Sequence, residues 1–166
     1  MTLSLKDGGP ARRSLDYGLM LLLLAALWMA ARPYYGIVRD ARLYMAQALY
    51  RLEPEKFQGD LFFRYGSQDS FSLFSAVFAP VVRMLGPGWA HLVFSVLGQV
   101  FWLAGLFALL VALFGRGRSA LAAAVGAIIL MSDFGLGVFR YSEIFVTPRI
   151  FAEATVMLAL ACALWG

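Results

Sequence analysis

The sequence is poor in charged residues, which make up only 14% of its 166 positions. Soluble domains carry about 25% charged residues. Apolar residues make up 61% of the chain and the mean hydropathy is +0.75. A small soluble domain buries only about 70% of its chain surface, so a domain of this length has no core large enough for such an apolar excess. The excess therefore faces lipid, which excludes a soluble enzyme, a nucleic-acid module and a disordered tail.

Cysteine and histidine are almost absent, with one residue of each. The single cysteine, Cys162, excludes an intramolecular disulfide and a cysteine-cluster metal site. Basic residues outnumber acidic ones by 14 to 10, but they are scattered along the chain and form no dense run. This scatter argues against a nucleic-acid partner. We therefore interpret the net charge of +4 as a matter of membrane topology.

Long apolar runs dominate what the sequence does contain. A membrane-spanning helix needs about 20 mostly apolar residues. We predict four spans, and hence an all-α, polytopic membrane helix bundle, from residues 15–32, 89–114, 119–135 and 148–166. A cleaved signal peptide is the alternative for the first run, because basic residues precede it.

The basic residues also predict an orientation, because cationic loops stay in the cytoplasm. Three basic residues before the first span place the N-terminus there, and Arg116 and Arg118 form the other compact basic loop. Both are cytoplasmic if residues 70–85 form a short interfacial or re-entrant helix, whereas a full crossing by 70–85 places the second loop outside. We prefer the first arrangement, which predicts a large external first loop at 33–87. It describes a multi-pass protein of the cell membrane, of the kind found in the bacterial inner membrane.

The external loop begins with a predicted amphipathic helix, residues 38–52, which Pro54 ends. Helical spacing places four polar residues on one face, namely Asp40, Tyr44, Gln47 and Arg51. One interpretation is the solvated side of a juxtamembrane helix. The other is a functional site, in which Asp40 is a catalytic or metal-binding carboxylate at the boundary between water and lipid.

Further along the loop, Asp60 and Asp69 bracket a cluster of aromatic residues. Aromatic rings cover the apolar faces of sugars, and carboxylates accept hydrogen bonds from hydroxyl groups or hold a metal ion. The pattern predicts a site for a sugar or a lipid head group. The alternative is an aromatic belt at the membrane interface, with both aspartates as helix caps and turn residues.

Several ionisable residues interrupt the apolar sequence near the end of the chain: Asp133, Arg140, Glu143, Arg149 and Glu153. Thr147 and Pro148 are typical of a helix start, with the threonine as cap and the proline in the first turn. Arg149 beside that helix end suits a phosphate, and we expect Glu153 on the same helix face. The alternative is a structural ion pair inside the bundle, because ionisable groups at membrane depth need partners.

Three polar residues lie within the second predicted span. We expect His91 to lie at the membrane interface rather than to act as a ligand. We expect Ser95 and Gln99 to make hydrogen bonds between helices rather than to bind substrate.

This layout resembles the integral-membrane glycosyltransferases of the GT-C class. In that class a cytoplasmic N-terminus and a first span are followed by a large external loop with an acidic residue near its start. Asp40 takes that place here, in the phrase Val38-Arg39-Asp40-Ala41-Arg42-Leu43-Tyr44, which is similar to the Asp/Glu-x-x-x-Tyr start of such enzymes. The resemblance implies a transferase, of which this chain is the N-terminal part, that moves a sugar from a polyprenyl-phosphate donor at the external face.

The resemblance also implies roles for the residues described above. Asp40 is the general base or a ligand of a divalent metal ion (Mg²⁺ or Mn²⁺), with Asp60 and Asp69 as further metal candidates. Arg149 stabilises the leaving phosphate. The substrate-binding candidates are Tyr44, Gln47, Asp60, Asp69, Arg149 and Glu153.

A non-enzymatic membrane protein is the alternative function, such as a transporter segment or an assembly subunit. In that case Asp133, Arg149 and Glu153 line a translocation path. The chain ends inside an apolar run at Gly166, so we expect further helices of the same chain or of a partner to pack beside it in the bilayer.

Overall fold

The computed structural model describes residues 18–19, 22–23, 25–28, 30, 33–65, 67–115, 123–126, 133–134, 139–140 and 142–166. These residues are mainly helical, which confirms the predicted all-α class. Irregular segments at 33–40 and 142–147 precede two of the helices, and the β-structure among the described residues is a two-residue antiparallel pair, β1 (Asp133–Phe134) with β2 (Phe139–Arg140). The basic residues that support the predicted orientation before the first span and after the second, and most of the predicted span 119–135, lie outside the described residues.

Five α-helices follow one another in the described ranges: α1 (Ala41–Leu52), α2 (Leu61–Tyr65), α3 (Phe74–Leu85), α4 (Pro87–Phe114) and α5 (Pro148–Trp165). Two 3-10 turns, Pro54–Phe57 and Gln68–Phe71, connect the first three. The described residues within 18–30 and the stretch 123–126 are helical as well. Helix α1 begins three residues later than predicted, because Arg39 has a left-handed φ of 49° that a helix does not accept.

Two of these helices are long and apolar enough to cross a membrane, by length and composition. Helix α4 has 28 residues and is therefore about 42 Å long, and the 18 residues of α5 give about 27 Å, compared with a hydrocarbon core of about 30 Å. Glycines bound α4 at both ends, since Gly86 and Gly115 have φ values of 77° and 75°. Such left-handed residues end a helix without the strain that a side chain would add.

Helix α3 is too short to cross, because its 12 residues extend only about 18 Å. It buries one face against α1 and α4, with Ser75, Phe78, Ala79 and Val82. It starts at Phe74 rather than near residue 70, because the residues before it form a 3-10 turn. The structure therefore has a short helix where the sequence left open a short helix or a span.

Helices α4 and α5 run parallel and pack closely through small residues. A Cβ atom built on Gly98 would lie 3.0 Å from Ile150, and one built on Gly105 would lie 2.8 Å from the carbonyl oxygen of Ala154. The contact positions rise together along both helices, which defines the parallel direction. Small residues at helix interfaces allow backbones to approach in this way.

The first apolar segment runs in the opposite direction to α4. The Trp28 ring stacks on Trp102 with centroids 5.5 Å apart, whereas Tyr34 contacts His91 near the start of α4. Two cores result. One joins the first segment, α4, α5 and Ala124, and the other joins α1, α3 and the start of α4. Residues 33–34, α1, α3 and the N-terminal ends of α4 and α5 thus gather at one end of the molecule.

Candidate functional site

The candidate site lies between α1 and the start of α5, which Phe74 of α3 bridges, since its ring contacts Tyr44 at 5.6 Å and Phe151 at 6.0 Å. Two non-glycine residues have a left-handed backbone conformation here. Arg39 and Ser142 both have a φ of 49°. Each directly precedes an acidic residue, Asp40 or Glu143. Non-glycine residues in this conformation are uncommon and strained, and such strain concentrates at functional sites. The unusual backbone therefore directs attention to these two carboxylates.

Glu143 is the most enclosed acidic group of the site, with only 4% of the residue exposed. It accepts a hydrogen bond of 2.6 Å from the Thr147 hydroxyl and forms an ion pair with Arg149. Burial raises the pKa of Glu143, while the bond from Thr147 and the charge of Arg149 act in the opposite direction. Glu143 thus holds the arginine side chain at the start of α5.

Sequence reasoning did not select Glu143 as a site residue. Helical spacing favoured Arg149 with Glu153, and Glu143 lies before the helix, where that spacing gives no guide. The expected roles of two other residues also change. Thr147 does begin the helix, but its hydroxyl makes no capping bond and donates to Glu143 instead. Glu153 accepts from the Trp102 indole (2.7 Å) and from the Ser142 amide (3.1 Å), so it joins α4 to the segment before α5.

Tyr44 on α1 lies within the electrostatic reach of this ion pair. The pKa of the Tyr44 phenol is raised, first by burial and then by the charges of Asp40 and Glu143, while Arg149 lowers it. The phenol therefore stays protonated at neutral pH and lies in the electrostatic field of all three groups. Asp40 occupies the cap position of α1, yet its side chain makes no capping bond to that helix. The charges of Asp40, Glu143 and Arg149 thus all act on the Tyr44 phenol, although about a hundred residues of chain separate Asp40 from Glu143.

Gln47 lies one turn beyond Tyr44 on the same face of α1 and is 2% exposed. Its Nε2 atom is buried and has no hydrogen-bond partner among the described residues. The interpretation of this face as a solvated stripe is therefore wrong for Gln47. Periodicity identified the face correctly but could not show that protein covers it.

Arg51, at the far end of the same face, belongs to a separate polar cluster. Its Nε atom donates to Asp69 (2.9 Å) and to the Ser75 hydroxyl (2.7 Å), and Ser75 also bonds Asp69. The capping role suggested for Asp69 falls to serines instead, since Ser67 accepts from the Asp69 amide and Ser72 from the Phe74 amide. Asp69 therefore ties the 3-10 turn to α1 and α3.

Asp60 behaves as the turn interpretation expects, because it accepts a bond of 2.8 Å from the Phe62 amide at the start of α2. The described residues contain no group of three histidine, cysteine, aspartate or glutamate side chains that could hold a metal ion. The three aspartates suggested as metal ligands, Asp40, Asp60 and Asp69, thus do not gather into such a group.

Gln99 bonds across the bundle, as predicted. Its Nε2 donates to the Glu143 carbonyl (2.6 Å), and its Oε1 accepts from the Ser142 hydroxyl (2.9 Å) and the Trp28 indole. The same prediction is wrong for Ser95, whose buried hydroxyl has no partner in the described part of the chain.

His91 is fully buried within the protein. The Val146 amide donates to its Nε2 atom (3.4 Å), and the Tyr34 hydroxyl lies 2.7 Å from its Nδ1 atom. Because Nε2 accepts a bond, the ring proton belongs on Nδ1. The segment before α5 and the residues after the first apolar segment cover this histidine, and its position at the membrane interface stays a prediction.

In comparisons with known proteins, no family model, curated protein or solved structure matches the chain.

Proposed function

We propose that this chain is a polytopic membrane protein whose residues 33–86 and 142–147 lie on the external face. The parallel direction of α4 and α5 supports this topology. If both helices cross the bilayer, the chain between residues 114 and 148 must cross back once. Ala124, which is helical and 1% exposed within the core of the bundle, suits that return span.

The exposed side of α3 supports an interfacial position for this helix. Leu73, Val77 and Met84 point away from the protein, with 81%, 60% and 81% of each residue exposed. Trp89, at the start of α4, is 69% exposed, and tryptophan is typical of the head-group region. An apolar face of this kind is stable half-immersed in lipid. With α3 in this position, the candidate site lies at the depth of the lipid head groups, where a lipid-linked substrate carries its phosphate.

The function that the site supports best is sugar transfer from a polyprenyl-phosphate donor, as in the GT-C class, by this chain as the N-terminal part of the enzyme. One observation carries the proposal: the Tyr44 phenol on α1 lies in the electrostatic field of both Asp40, at the start of α1, and Arg149, at the start of α5. A carboxylate, a protonated phenol and a guanidinium supply a base, a neutral donor and a cationic donor. These are the groups that a hydroxyl nucleophile and a phosphate leaving group need.

The chemistry follows from these roles. An acceptor hydroxyl attacks the anomeric carbon of the donor and gives its proton to the Asp40 carboxylate. The new bond joins the acceptor oxygen to the anomeric carbon, and the bond between that carbon and the phosphate oxygen breaks. Its electron pair stays on the phosphate, where Arg149 stabilises the charge. Glu143 is a positioning residue, because it holds Arg149 and touches no reacting atom in this scheme.

A resident Mg²⁺ or Mn²⁺ ion does not fit the described donor set, since Asp60 is bound to a backbone amide and Asp69 to Arg51. We therefore assign no step to a metal ion.

The test uses the full chain in nanodiscs with undecaprenyl phosphate as the probe and undecaprenol as its uncharged counterpart. We expect the phosphate to bind about tenfold more tightly than the alcohol, and Arg149→Gln to remove that preference. Asp40→Asn should retain binding, because the carboxylate acts on the acceptor. The exposed control Glu53→Gln should match the wild type.

Equal binding of the phosphate and the alcohol by the wild type would contradict the lipid-phosphate site. Transfer is then measured from radiolabelled polyprenyl-phosphate sugars in membranes that contain the chain. Preserved transfer by Asp40→Asn would remove this residue from the mechanism. Phosphate binding without transfer from any donor would favour the non-enzymatic alternative.

A further inference from the structure

An open cleft of about 450 Å³ lies beside the C-terminal half of α1, away from the Asp40 site. Tyr50 lines it and is ten residues from Asp40 along the chain, which corresponds to about 15 Å of helix. The other lining residues come from the turn and helix that follow: Pro54, Glu55, Phe57, Gln58, Asp60, Phe63 and Arg64. The volume is within the range of small-molecule sites, about 300–1,000 Å³.

Three aromatic rings build one wall of the cleft. Tyr50 stacks on Phe63 with centroids 4.4 Å apart and planes at 14°. Phe57 sets its edge against both rings, at 6.1 Å from Tyr50 and 5.2 Å from Phe63. Edge-to-face and stacked contacts of this kind hold rings in place. The wall is therefore rigid and apolar before any ligand enters.

Polar groups of both kinds form the rest of the lining. Glu55 and Asp60 supply acceptors, Arg64 supplies donors and Gln58 supplies both. One Asp60 oxygen is already held by the Phe62 amide, which fixes the direction of that carboxylate. Two carboxylates and one guanidinium leave a formal charge of only −1.

This lining favours one class of ligand. Two carboxylates repel an anion, and the guanidinium of Arg64 repels a cation. A neutral molecule with many hydroxyl groups uses the donors and the acceptors together and sets its apolar ring face against the aromatic wall. We propose that the cleft binds a neutral carbohydrate. As the site of the sugar acceptor it rests on the proposed function, but the binding itself does not depend on Asp40 or Arg149.

Saturation-transfer NMR on the full chain in nanodiscs tests the inference. The probes are the methyl glycosides of glucose, galactose and mannose, and N-acetylglucosamine, with tetramethylammonium and methyl phosphate as charged comparators whose methyl protons are observable. We expect saturation transfer to at least one sugar and to neither ion. Glu55→Ala and Gln58→Ala, both exposed positions, should each weaken binding of that sugar about threefold or more.

Two controls separate this site from the proposed transferase site. Glu53→Ala removes an exposed carboxylate that does not line the cleft, and it should leave sugar binding unchanged. Arg149→Gln should leave it unchanged as well, although that variant loses lipid-phosphate preference. The inference is overturned if no sugar receives saturation above empty nanodiscs, if Glu55→Ala and Gln58→Ala bind like the wild type, or if only an ion binds.

Discussion

At the residue scale, Gln99 joins three parts of the molecule through one side chain. Replacing it in the Gln99→Leu variant leaves the Glu143 carbonyl, the Ser142 hydroxyl and the Trp28 indole without this partner. Each hydrogen bond lost at a buried group costs about 0.5–1.5 kcal/mol, and more at a carbonyl oxygen that finds no water. We expect a loss of about 2–4 kcal/mol in unfolding free energy, measured by chemical denaturation in detergent.

Ser95 provides the matched control, because it is a polar residue one turn away on the same buried face of α4. Its hydroxyl has no partner among the described residues, so Ser95→Ala removes an unsatisfied group and should be neutral or stabilising. A destabilisation of Ser95→Ala equal to that of Gln99→Leu would contradict the hydrogen-bond explanation.

Glu143 should make stability depend on pH. Burial raises the pKa of Glu143 in the folded chain above its ordinary value of 4.5, which applies to the unfolded chain. At pH values between the unfolded pKa and the folded pKa, the folded chain therefore binds more protons than the unfolded chain. Stability from this group therefore falls as pH rises through that interval. We expect the Glu143→Gln variant to lose this dependence, measured as melting temperature from about pH 4 to about pH 7.

The control for this prediction is Glu53→Gln, an exposed position at the end of α1, which should keep the dependence of the wild type. The expectation fails if the wild type gains stability over the same interval relative to Glu143→Gln.

The sequence predicted part of the site because composition makes certain residues conspicuous. Asp40 and Arg149 stand out as charges at helix starts, and in the structure both act on the Tyr44 phenol. Glu143 could not be predicted as the partner of Arg149, because it lies in an irregular segment whose direction depends on the left-handed Ser142. The burial of Gln47 and His91 could not be predicted from the sequence either, because it depends on which distant segments pack over them.

At the element scale, the tight pairing of α4 and α5 depends on Gly105. In the Gly105→Ala variant the added methyl meets the backbone of Ala154 at 2.8 Å, and backbone cannot rotate away as a side chain does. We expect a loss of about 1–3 kcal/mol in unfolding free energy, read from denaturation in detergent.

Gly88 is the matched control on the same helix, because a Cβ atom built there meets nothing within 4 Å. Gly88→Ala should be neutral or stabilise by up to about 1 kcal/mol, since alanine is the better helix former. Equal effects of the two substitutions on the unfolding free energy would show that helix propensity, rather than packing against α5, determines the change.

Helices were the easier part of the fold to predict, since the long apolar runs that became α4 and α5 are bounded by glycine and proline. The irregular pieces were harder. The residues before α3 had the composition of a helix start. However, the Ser67 and Ser72 hydroxyls accept hydrogen bonds from backbone amides two residues further on, which favours a 3-10 turn followed by a break in the helix before Phe74. Such competition between local bonds and helix is not visible in hydropathy.

At the scale of the whole molecule, the topology can be tested with cysteine labelling in a Cys162→Ala background. Gln58→Cys lies on the side proposed to be external, and Gly166→Cys lies at the end of α5, beside the opposite end of α4. We expect an impermeant maleimide to label position 58 in intact cells and position 166 only after the membrane is opened. Labelling of both positions in intact cells would rule out the proposed arrangement.

The parallel direction of α4 and α5 also sets an order for biogenesis. In the proposed topology, α4 and α5 cannot insert as a hairpin, because two parallel helices need a connecting chain that crosses the bilayer once between them. That connecting chain must be synthesised before α5 can insert. The first apolar segment and α4 run antiparallel, so they can pair while synthesis continues. In that topology, the contact between α4 and α5 forms only after the first apolar segment has paired with α4, and the stretch around Glu143 and Arg149 is completed at that step. A pause or stop in translation before residue 148 would therefore leave a membrane-inserted chain without its candidate site.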